Sequence, residues 1–191
     1  MAACRAALDS QRRLARLNER FARERGIQLG MRIGINSGEA VVGNVGSERK
    51  KNFTALDDTV NLAAKLEGAN KEFGTSILIG PLTAALVSHE VLTRPIARLR
   101  VKGKTQAVEV HEPFCEVAAA DEATRRFAAA CTEGFQAWCA RDFERAVQAY
   151  ATAVDLRPGD FPSTGYLADA RKWAVEPPPA DWQPVLTLHT K

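Results

Sequence analysis

The sequence lacks the features that mark several common classes of protein. Its four cysteines form no CxxC pair, and none of its three histidines lies at metal-ligand spacing from them, so neither a zinc site nor a disulfide framework is expected. No apolar run approaches the roughly 20 residues that span a bilayer, and no apolar stretch typical of a signal peptide follows Met1. These absences predict a cytoplasmic protein with reduced thiols and no membrane segment of its own.

Charge of one sign is not in excess either. The chain has 26 basic and 23 acidic residues, and only 7% of its residues are aromatic. Because no basic stripe is interleaved with aromatic residues, nucleic acid is not an expected partner. Hydrophobic residues make up 46% of the 191 positions, which suffices for a packed core in one domain or in a truncated domain with a small appendage.

The first part of the chain shows an amphipathic helical pattern. Residues 2 to about 24 place alanine, leucine and phenylalanine at helical spacing and arginines on the other face, and Gly26 lies where a helix would end. No Ser, Asp or Pro start signal precedes this pattern, so we expect the helix to begin upstream of Met1. Residues 29–36 alternate as a strand, and residues 39–45 are predicted to be its hairpin partner.

Helices and strands are mixed in the middle of the chain. Asp58–Phe73 is predicted to be a helix that is capped by Asp57 or Asp58 and ended by Gly74. A short strand is predicted at residues 76–79 and a short helix at 81–87. Two further strands are predicted at 91–101 and 107–112. This order is typical of an α+β sandwich.

The composition changes to alanine-rich helices after Pro113, so we predict a boundary near residue 120. Residues 121–175 carry a helix, turn, helix pattern that resembles one tetratricopeptide repeat, followed by a third, capping helix. A single repeat buries too little surface to be stable alone, so this unit is expected to dock on the preceding domain or on a region outside the chain. Residues 176–191 are predicted to be a Pro-rich extended tail, with Trp182 as its anchor.

A polar pair on the central helix is the strongest functional signal. Asn61 and Lys65 are four residues apart and so share one helical face, and Thr54 lies seven residues before Asn61. This block, TALDDTVNLAAKLEGANK, and the upstream run MRIGINSGEAVVGNVGS resemble the second half of a class III nucleotidyl cyclase catalytic domain. The resemblance covers about residues 1–114 and implies part of the ferredoxin-like, or palm, sandwich of that family.

The resemblance implies a role for each of four residues. Asn61 matches the asparagine that orients the ribose, and Lys65 matches an arginine that stabilises charge at the α-phosphate. Thr54 matches the residue that binds the purine edge, where threonine favours ATP, and Lys102 matches a lysine that contacts the β- and γ-phosphates. Lysine lacks the planar guanidinium fork, so slower turnover is expected from Lys65. Asp57 is a second departure, because most relatives have glycine there.

The metal ligands of the family have no counterpart in this chain. Family enzymes use Mg²⁺ or Mn²⁺, held by two aspartates that lie before the helix with which this chain starts, and neither Asp57 nor Asp58 matches them. We therefore assign no metal ligand and expect a partial ATP site that does not turn over ATP by itself.

Three interpretations follow from these features. In the first, the chain is the C-terminal part of a dimeric adenylate cyclase whose upstream region attaches the parent protein to a membrane. In the second, it is a non-catalytic regulator that uses its cyclase-like part for dimerisation and its tail for docking. In the third, it is half of a split cyclase that a complementing subunit completes.

Overall fold

The computed structural model describes residues 1–47, 50–100 and 106–187. The elements of the first 119 residues are α1 (Ala2–Arg25), β1 (Ile33–Ile35), β2 (Val41–Ser47), β3 (Lys50–Leu56), α2 (Asp58–Phe73), β4 (Ile77–Ile79), α3 (Pro81–Val87), β5 (Val91–Arg100), β6 (Ala107–Glu116) and a short 3-10 turn (Val117–Ala119). They are followed by α4 (Glu122–Cys139), α5 (Phe143–Leu156), α6 (Phe161–Val175) and β7 (Leu186–Thr187). None of the helices in the described ranges is long and apolar enough to cross a membrane.

The strands form one mixed sheet and one separate hairpin. The sheet has five strands in the order β1-β4-β6-β5-β7, with β1 parallel to β4, β6 antiparallel to both β4 and β5, and β7 parallel to β5. Strands β2 and β3 pair only with each other. The fold is therefore α+β, as the sequence predicts.

The predicted hairpin between residues 29–36 and 39–45 is wrong. The strand β1 pairs with β4, starting at Ile33 opposite Ile77, whereas β2 pairs with β3 from Val41 opposite Leu56 onward. The physical reason is that β1 is covered by helices and takes its partner from a distant part of the chain. Its position against α2 is close, because a Cβ added at Gly34 would lie 2.1 Å from the carbonyl oxygen of Ala63.

Helix α2 begins and ends at the predicted residues. The Asp57 carboxylate accepts the backbone N–H of Thr59 at 3.2 Å, and Gly74 ends the helix with φ 63°. The buried side chain of Asn70 donates to the carbonyl of Ile33 at 3.1 Å and accepts the hydroxyl of Thr75 at 2.8 Å. These bonds fix the C-terminal half of α2 to the start of β1.

Two apolar clusters stabilise the sheet. One packs α2 against β4, β5 and β6 through residues such as Leu66, Leu78 and Leu99. The other packs the first turns of α1 and helix α3 against β1, β4 and β5, with Cys4, Val87 and Val91 as members. Only Cys4, Ala7 and Leu8 of α1 are buried, so the rest of this long helix lies partly or wholly in solvent.

Helices α4, α5 and α6 form an aromatic-rich helical unit, and the three lie where the alanine-rich pattern predicts helices. Each has an aspartate cap, Asp121, Asp142 and Asp160, whose side chain accepts a backbone N–H of the first turn. Gly134 of α4 permits close packing, because a Cβ there would lie 2.9 Å from the ring of Tyr150 on α5. Trp182 packs edge-on against Trp138 at a centroid distance of 5.6 Å, which confirms its predicted anchoring role.

Candidate functional site

The predicted nucleotide-contacting residues lie on two consecutive elements. Strand β3 carries Thr54 and leads through Asp57 directly into α2, which presents Asn61 and Lys65 four residues apart on one face. Asn61 is exposed, and Lys65 and Thr54 are half-buried. The backbone N–H of Asn61 donates to the carbonyl of Asp57 at 3.1 Å, so the position of Asn61 depends directly on the capped first turn.

The first turn of α2 is also held by the loop that follows β1. The side-chain amide of Asn36 donates to the carbonyl of Thr59 at 3.1 Å, and a Cβ added at Gly38 would lie 2.5 Å from the Thr59 hydroxyl. The next hydroxyl, Ser37 Oγ, lies 2.9 Å from Thr83 Oγ1 on α3. The loop is therefore fixed to both helices, one bond to each.

Asn36 is a positioning residue that the sequence analysis missed. It lies inside the run MRIGINSGEAVVGNVGS, but an asparagine before Ser-Gly there looks like ordinary turn chemistry. Its tight surroundings are visible only in three dimensions, where a Cβ added at Gly80 would lie 2.1 Å from Asn36 Oδ1. A side chain held between Thr59 and Gly80 has little room for another rotamer.

Asp57 acts as a helix cap in place of the glycine that the resemblance implies. Its backbone is extended, with φ 174°, so no left-handed conformation is required at this position. Asp57 and Asp58 together place two carboxylates at the positive end of the α2 dipole, where negative charge is favourable. This electrostatic role favours acidic residues at both positions.

The hairpin of β2 and β3 carries large apolar side chains in solvent. The exposed fraction is 71% for Val41 and 74% for Phe53, and Val42 and Leu56 are also more than half exposed. A two-stranded hairpin is at best marginally stable by itself in water. Contiguous exposed apolar side chains on such an element mark an interaction surface.

Strand β1 has one open edge among the described residues. It pairs with β4 on one side, and an unpaired edge can accept an added strand. A groove of about 480 Å³ lies between α1 and the segment that leads into β1, lined by Gln11, Asn18, Leu29 and Met31 among others. The side chain of Asn18 holds this segment to α1, because it donates to the carbonyl of Leu29 at 2.8 Å and accepts the N–H of Leu29 at 2.9 Å.

Neither Lys102 nor a metal-binding group can be located among the described residues. Lys102 lies outside the described residues, between the end of β5 at Arg100 and the start of β6 at Ala107. Within the described ranges, no group of three or more His, Cys, Asp or Glu side chains could hold a metal ion. The site residues with known positions, Thr54, Asn61 and Lys65, are those predicted to contact the purine, the ribose and the α-phosphate.

The four cysteines are free thiols, and none resembles an activated nucleophile. Burial raises the pKa of Cys4, Cys115, Cys131 and Cys139 above the ordinary thiol value. A raised pKa leaves the thiolate, which is the reactive form, scarce at neutral pH.

Comparison with known proteins gives a consistent result for the first part of the chain. Residues 3–111 match the family described as the adenylate and guanylate cyclase catalytic domain. The chain is 40% identical over 111 residues to adenylate cyclase 1 of Rhizobium meliloti (strain 1021). This alignment covers 58% of this chain and 16% of that protein. The chain is 32% identical over 105 residues to an adenylate cyclase of Anabaena cylindrica, covering 49% and 21% of the two chains.

A solved structure shares the fold. A bacterial light-regulated adenylyl cyclase aligns with a TM-score of 0.50 and 24% identity, over 59% of this chain and 32% of that one. The chain spans less than a quarter of the length of the two curated relatives described above. The family match ends at residue 111, before the helical unit begins.

Proposed function

Since the chain belongs, through residues 3–111, to the adenylate and guanylate cyclase catalytic domain family, we propose that it supplies the nucleotide-recognition half of an adenylate cyclase site. The reaction is the attack of the ribose 3'-hydroxyl on the α-phosphate of ATP with release of pyrophosphate. The observation that carries the proposal is the direct succession of β3 and α2, which brings Thr54, Asn61 and Lys65 to consecutive elements with a fixed first turn between them.

Each of the four residues has a defined task in this proposal. The Thr54 hydroxyl accepts a hydrogen bond from the adenine amino group, and the Asn61 amide holds the ribose so that its 3'-oxygen faces the α-phosphate. The Lys65 ammonium stabilises the negative charge that develops at the α-phosphate in the transition state. Lys102 balances the charge of the β- and γ-phosphates and so favours departure of pyrophosphate.

The divalent metal of the family is expected from outside the described residues. Mg²⁺ or Mn²⁺ would bind the phosphates and activate the attacking oxygen, but Asp57 is engaged as a helix cap and no suitable ligand cluster exists among the residues with known positions. The chain's own residues recognise the nucleotide and stabilise charge.

The site is completed by further protein. The open edge of β1 suits an added strand, and the exposed apolar hairpin of β2 and β3 suits a second cyclase domain. A dimer, formed with a second copy or with a complementing cyclase subunit, would cover Val41 and Phe53. We place this assembly in the cytoplasm, where ATP is available.

A non-catalytic regulator is the second candidate function. Lys65 in place of arginine favours it, because a lysine cannot form the bidentate phosphate contact of a guanidinium. Residues 121–175 fit a tetratricopeptide-like unit, with Gly134 packed against Tyr150 and with Ala146 and Ala153 buried. Such a unit would dock a partner without any need for ATP.

A complementation assay separates the two functions. The chain is mixed with a cyclase half that carries the metal-binding aspartates, and cyclic AMP is measured with ATP and Mn²⁺. The catalytic proposal predicts activity that Asn61→Ala abolishes and that Gln148→Ala, which removes an exposed amide of α5, preserves. No cyclic AMP at saturating concentrations of both halves, together with dimerisation that is independent of ATP, would establish the regulator instead.

A further inference from the structure

The far edge of the five-stranded sheet is only partly paired. Strand β1 forms one edge, and at the other end β7 adds just two residues, Leu186 and Thr187, beside the end of β5. Among the described strands, residues 91–98 of β5 therefore have β6 as their sole neighbour. A strand edge of this length presents backbone groups with which a strand of another molecule can pair. The helical unit lies against this stretch, with α4 in contact with β5.

Strand β5 is itself a poor template for a further strand. Pro95 has no backbone N–H to donate. The next residue, Ile96, is the extra residue of a bulge, since residues 95 and 97 lie opposite consecutive residues of β6, His111 and Val110. A proline and a bulge are both typical of strand edges that are protected from pairing with another chain.

Helix α6 occupies a backbone acceptor at this bulge. The hydroxyl of Tyr166 donates to the carbonyl of Ile96 at 2.8 Å. The ring of Tyr166 is held by stacking on Tyr150 of α5, with the ring centroids 5.0 Å apart and the planes inclined by 4°. A strand of another chain that paired at Ile96 would have to displace this hydroxyl.

A buried ion pair holds α6 at β5. The side chain of Arg94 on β5 is only 3% exposed, although a guanidinium is always charged at physiological pH. It donates to Glu112 on β6 through Nε at 2.9 Å and to both carboxylate oxygens of Asp160, the cap of α6, at 2.7 and 2.8 Å. Burial alone would lower the pKa of Arg94, but Asp160 and Glu112 keep it above its ordinary value.

The same guanidinium is enclosed by aromatic rings. Its central carbon lies 5.3 Å from the ring centroid of Phe114 on β6 and 5.1 Å from that of Phe127 on α4. If α6 moved away, Arg94 and Asp160 would each lose a charged partner in a low-dielectric setting, which is strongly unfavourable. Helix α6 therefore does not leave β5 readily.

The end of β5 is covered by the segment that carries β7, residues 176–187. The guanidinium of Arg141, in the turn between α4 and α5, donates to the carbonyls of Pro178 at 2.6 Å and Pro179 at 2.8 Å. It also lies 5.8 Å from the ring centroid of Trp182. We call this segment the strap, because it runs from the helical unit to the edge of β5.

We propose that the helical unit and the strap form a cover over the edge of β5, which prevents the sheets of two copies of this chain from pairing there. Tyr166 and the ion pair between Arg94 and Asp160 hold α6 at the middle of the strand, and Arg141 holds the strap at its end. Within the five-stranded sheet, a further strand is then directed to the edge of β1. This last consequence rests on the proposed function, which completes the site at β1, whereas the cover itself does not depend on catalysis.

The test compares two double variants of the full chain. The opened variant combines Tyr166→Phe, which removes the hydroxyl that bonds to β5, with Arg141→Gln, which frees the strap. The matched control combines Tyr150→Phe, in the stacked ring on α5, with Arg145→Gln, which removes an exposed arginine that pairs with Glu133. Neither control residue has a side-chain hydrogen bond to a described residue of β5.

Both double variants also carry Phe53→Ser, so that dimerisation through the β2–β3 hairpin does not mask association at the sheet. Amide hydrogen exchange of residues 96–100 reports the edge of β5, and exchange of residues 33–35 reports the edge of β1. Sedimentation velocity gives the size of the assembly. All three quantities are measured over a concentration series.

At low concentration we expect residues 96–100 to exchange at least about tenfold faster in the opened variant than in the control, because the edge has lost its cover. As the concentration rises, the opened variant should form larger assemblies, and residues 96–100 should become protected again because a second copy pairs there. The control should show neither change. If the opened variant does not fold, Arg141→Gln alone carries the test at residues 99 and 100, because Arg141 lies in a turn outside the helices.

Three outcomes would overturn the cover. The first is equal exchange at residues 96–100 in the opened variant and the control. The second is faster exchange without larger assemblies, and the third is assembly that protects residues 33–35 but leaves residues 96–100 unprotected. Absence of cyclic AMP in the complementation assay would contradict the proposed function instead, and it would change none of these measurements.

Discussion

Asn36 at the end of β1 donates its side-chain amide to the backbone carbonyl of Thr59, 3.1 Å away in the first turn of α2. Thr59 is two residues before Asn61, so this one bond connects the sheet to the part of the helix that carries the predicted ribose contact. A misplacement of about 1 Å in a catalytic group can cost on the order of 100-fold in rate. The bond is therefore expected to matter for activity more than for folding.

The first prediction concerns Asn36→Ala in the complemented enzyme. Loss of one neutral hydrogen bond costs only about 1 kcal/mol of stability, so the variant should fold. Turnover should fall roughly tenfold with a smaller change in KM for ATP. The reason is that a displaced Asn61 weakens stabilisation of the transition state more than it weakens binding of ATP. Steady-state kinetics with ATP and Mn²⁺ measures both quantities.

Ser37→Ala is the matched control for Asn36. Ser37 is the adjacent residue and contacts Thr83 on α3 instead of α2, so its loss should leave kcat within about twofold of the wild type. Equal effects of the two substitutions would contradict a specific role of Asn36 and would indicate that the loop is merely structural.

The second prediction concerns the contact between β1 and α2. Gly34→Ala places a Cβ 2.1 Å from the Ala63 carbonyl oxygen, and overpacking of this kind typically costs about 1–3 kcal/mol. For a chain of this size we expect the Tm to fall by roughly 2–12 °C. Gly68→Ala is the control, because a Cβ there meets nothing within 4 Å and alanine favours helix. A Tm for Gly34→Ala as high as that of the control would show that α2 can move away from β1.

The sequence could predict local elements better than their pairing. The bounds of α2 follow from Asp57 and Gly74, whose cap and left-handed conformations are set by residue chemistry within a few positions. The partner of β1 could not be predicted, because strand alternation does not distinguish a neighbour at residues 39–45 from β4. Arg94 was overlooked for the same reason: its partner Asp160 is 66 residues away, and no local pattern connects them.

The candidate site was predictable only where a motif was present. Asn61, Lys65 and Thr54 were found through one block of sequence, and their roles remain predictions. Asn36 lies within a quoted run but has no distinctive residue type, so only its contact with Thr59 marks it. Lys102 was predicted from the family resemblance alone and lies outside the described residues.

The third prediction concerns the lysine that stands where the family has arginine. Lys65→Arg in the complemented enzyme should raise kcat on the order of tenfold, because a guanidinium can donate two hydrogen bonds to the α-phosphate oxygens. Lys71→Arg makes the same change at an exposed position in the last turn of α2 and should have no effect. A Lys65→Arg variant with unchanged or lower kcat would contradict the transition-state role of residue 65.

The fourth prediction concerns the apolar hairpin. Phe53→Ser should weaken dimerisation at least about tenfold, because a largely exposed aromatic side chain gains burial only in the assembly. Leu86→Ser is the control, since Leu86 on α3 is 65% exposed, close to the 74% of Phe53, but lies on another surface. Sedimentation velocity over a concentration series gives the dissociation constants. Equal dissociation constants for the wild type and Phe53→Ser would show that the dimer interface does not include the hairpin.

The last prediction concerns the pH dependence of the ion pair between Arg94 and Asp160. Burial alone would raise the pKa of Asp160, but the hydrogen bonds and charge of Arg94 hold it below the ordinary value. A carboxyl group with a lowered folded-state pKa stabilises the fold above its unfolded pKa, about 3.9, and this contribution disappears as the pH falls through the folded-state pKa. Glu112 behaves oppositely, since burial raises its pKa despite Arg94.

Comparison of wild type with Asp160→Asn isolates the Asp160 contribution, because Glu112 is present in both proteins. Urea unfolding at pH 7 should show the wild type to be more stable by about 3 kcal/mol, the cost of breaking a buried pair. The difference should shrink steadily as the pH is lowered below about 4, since protonated Asp160 no longer pairs as an anion. Asp142→Asn should differ from the wild type by less than about 1 kcal/mol at neutral pH, because Asp142 is a cap with no ion pair to any described residue. A stability difference for Asp160→Asn that stays constant from pH 7 to pH 3 would mean that Asp160 stabilises the fold through its cap and shape, and not through its charge.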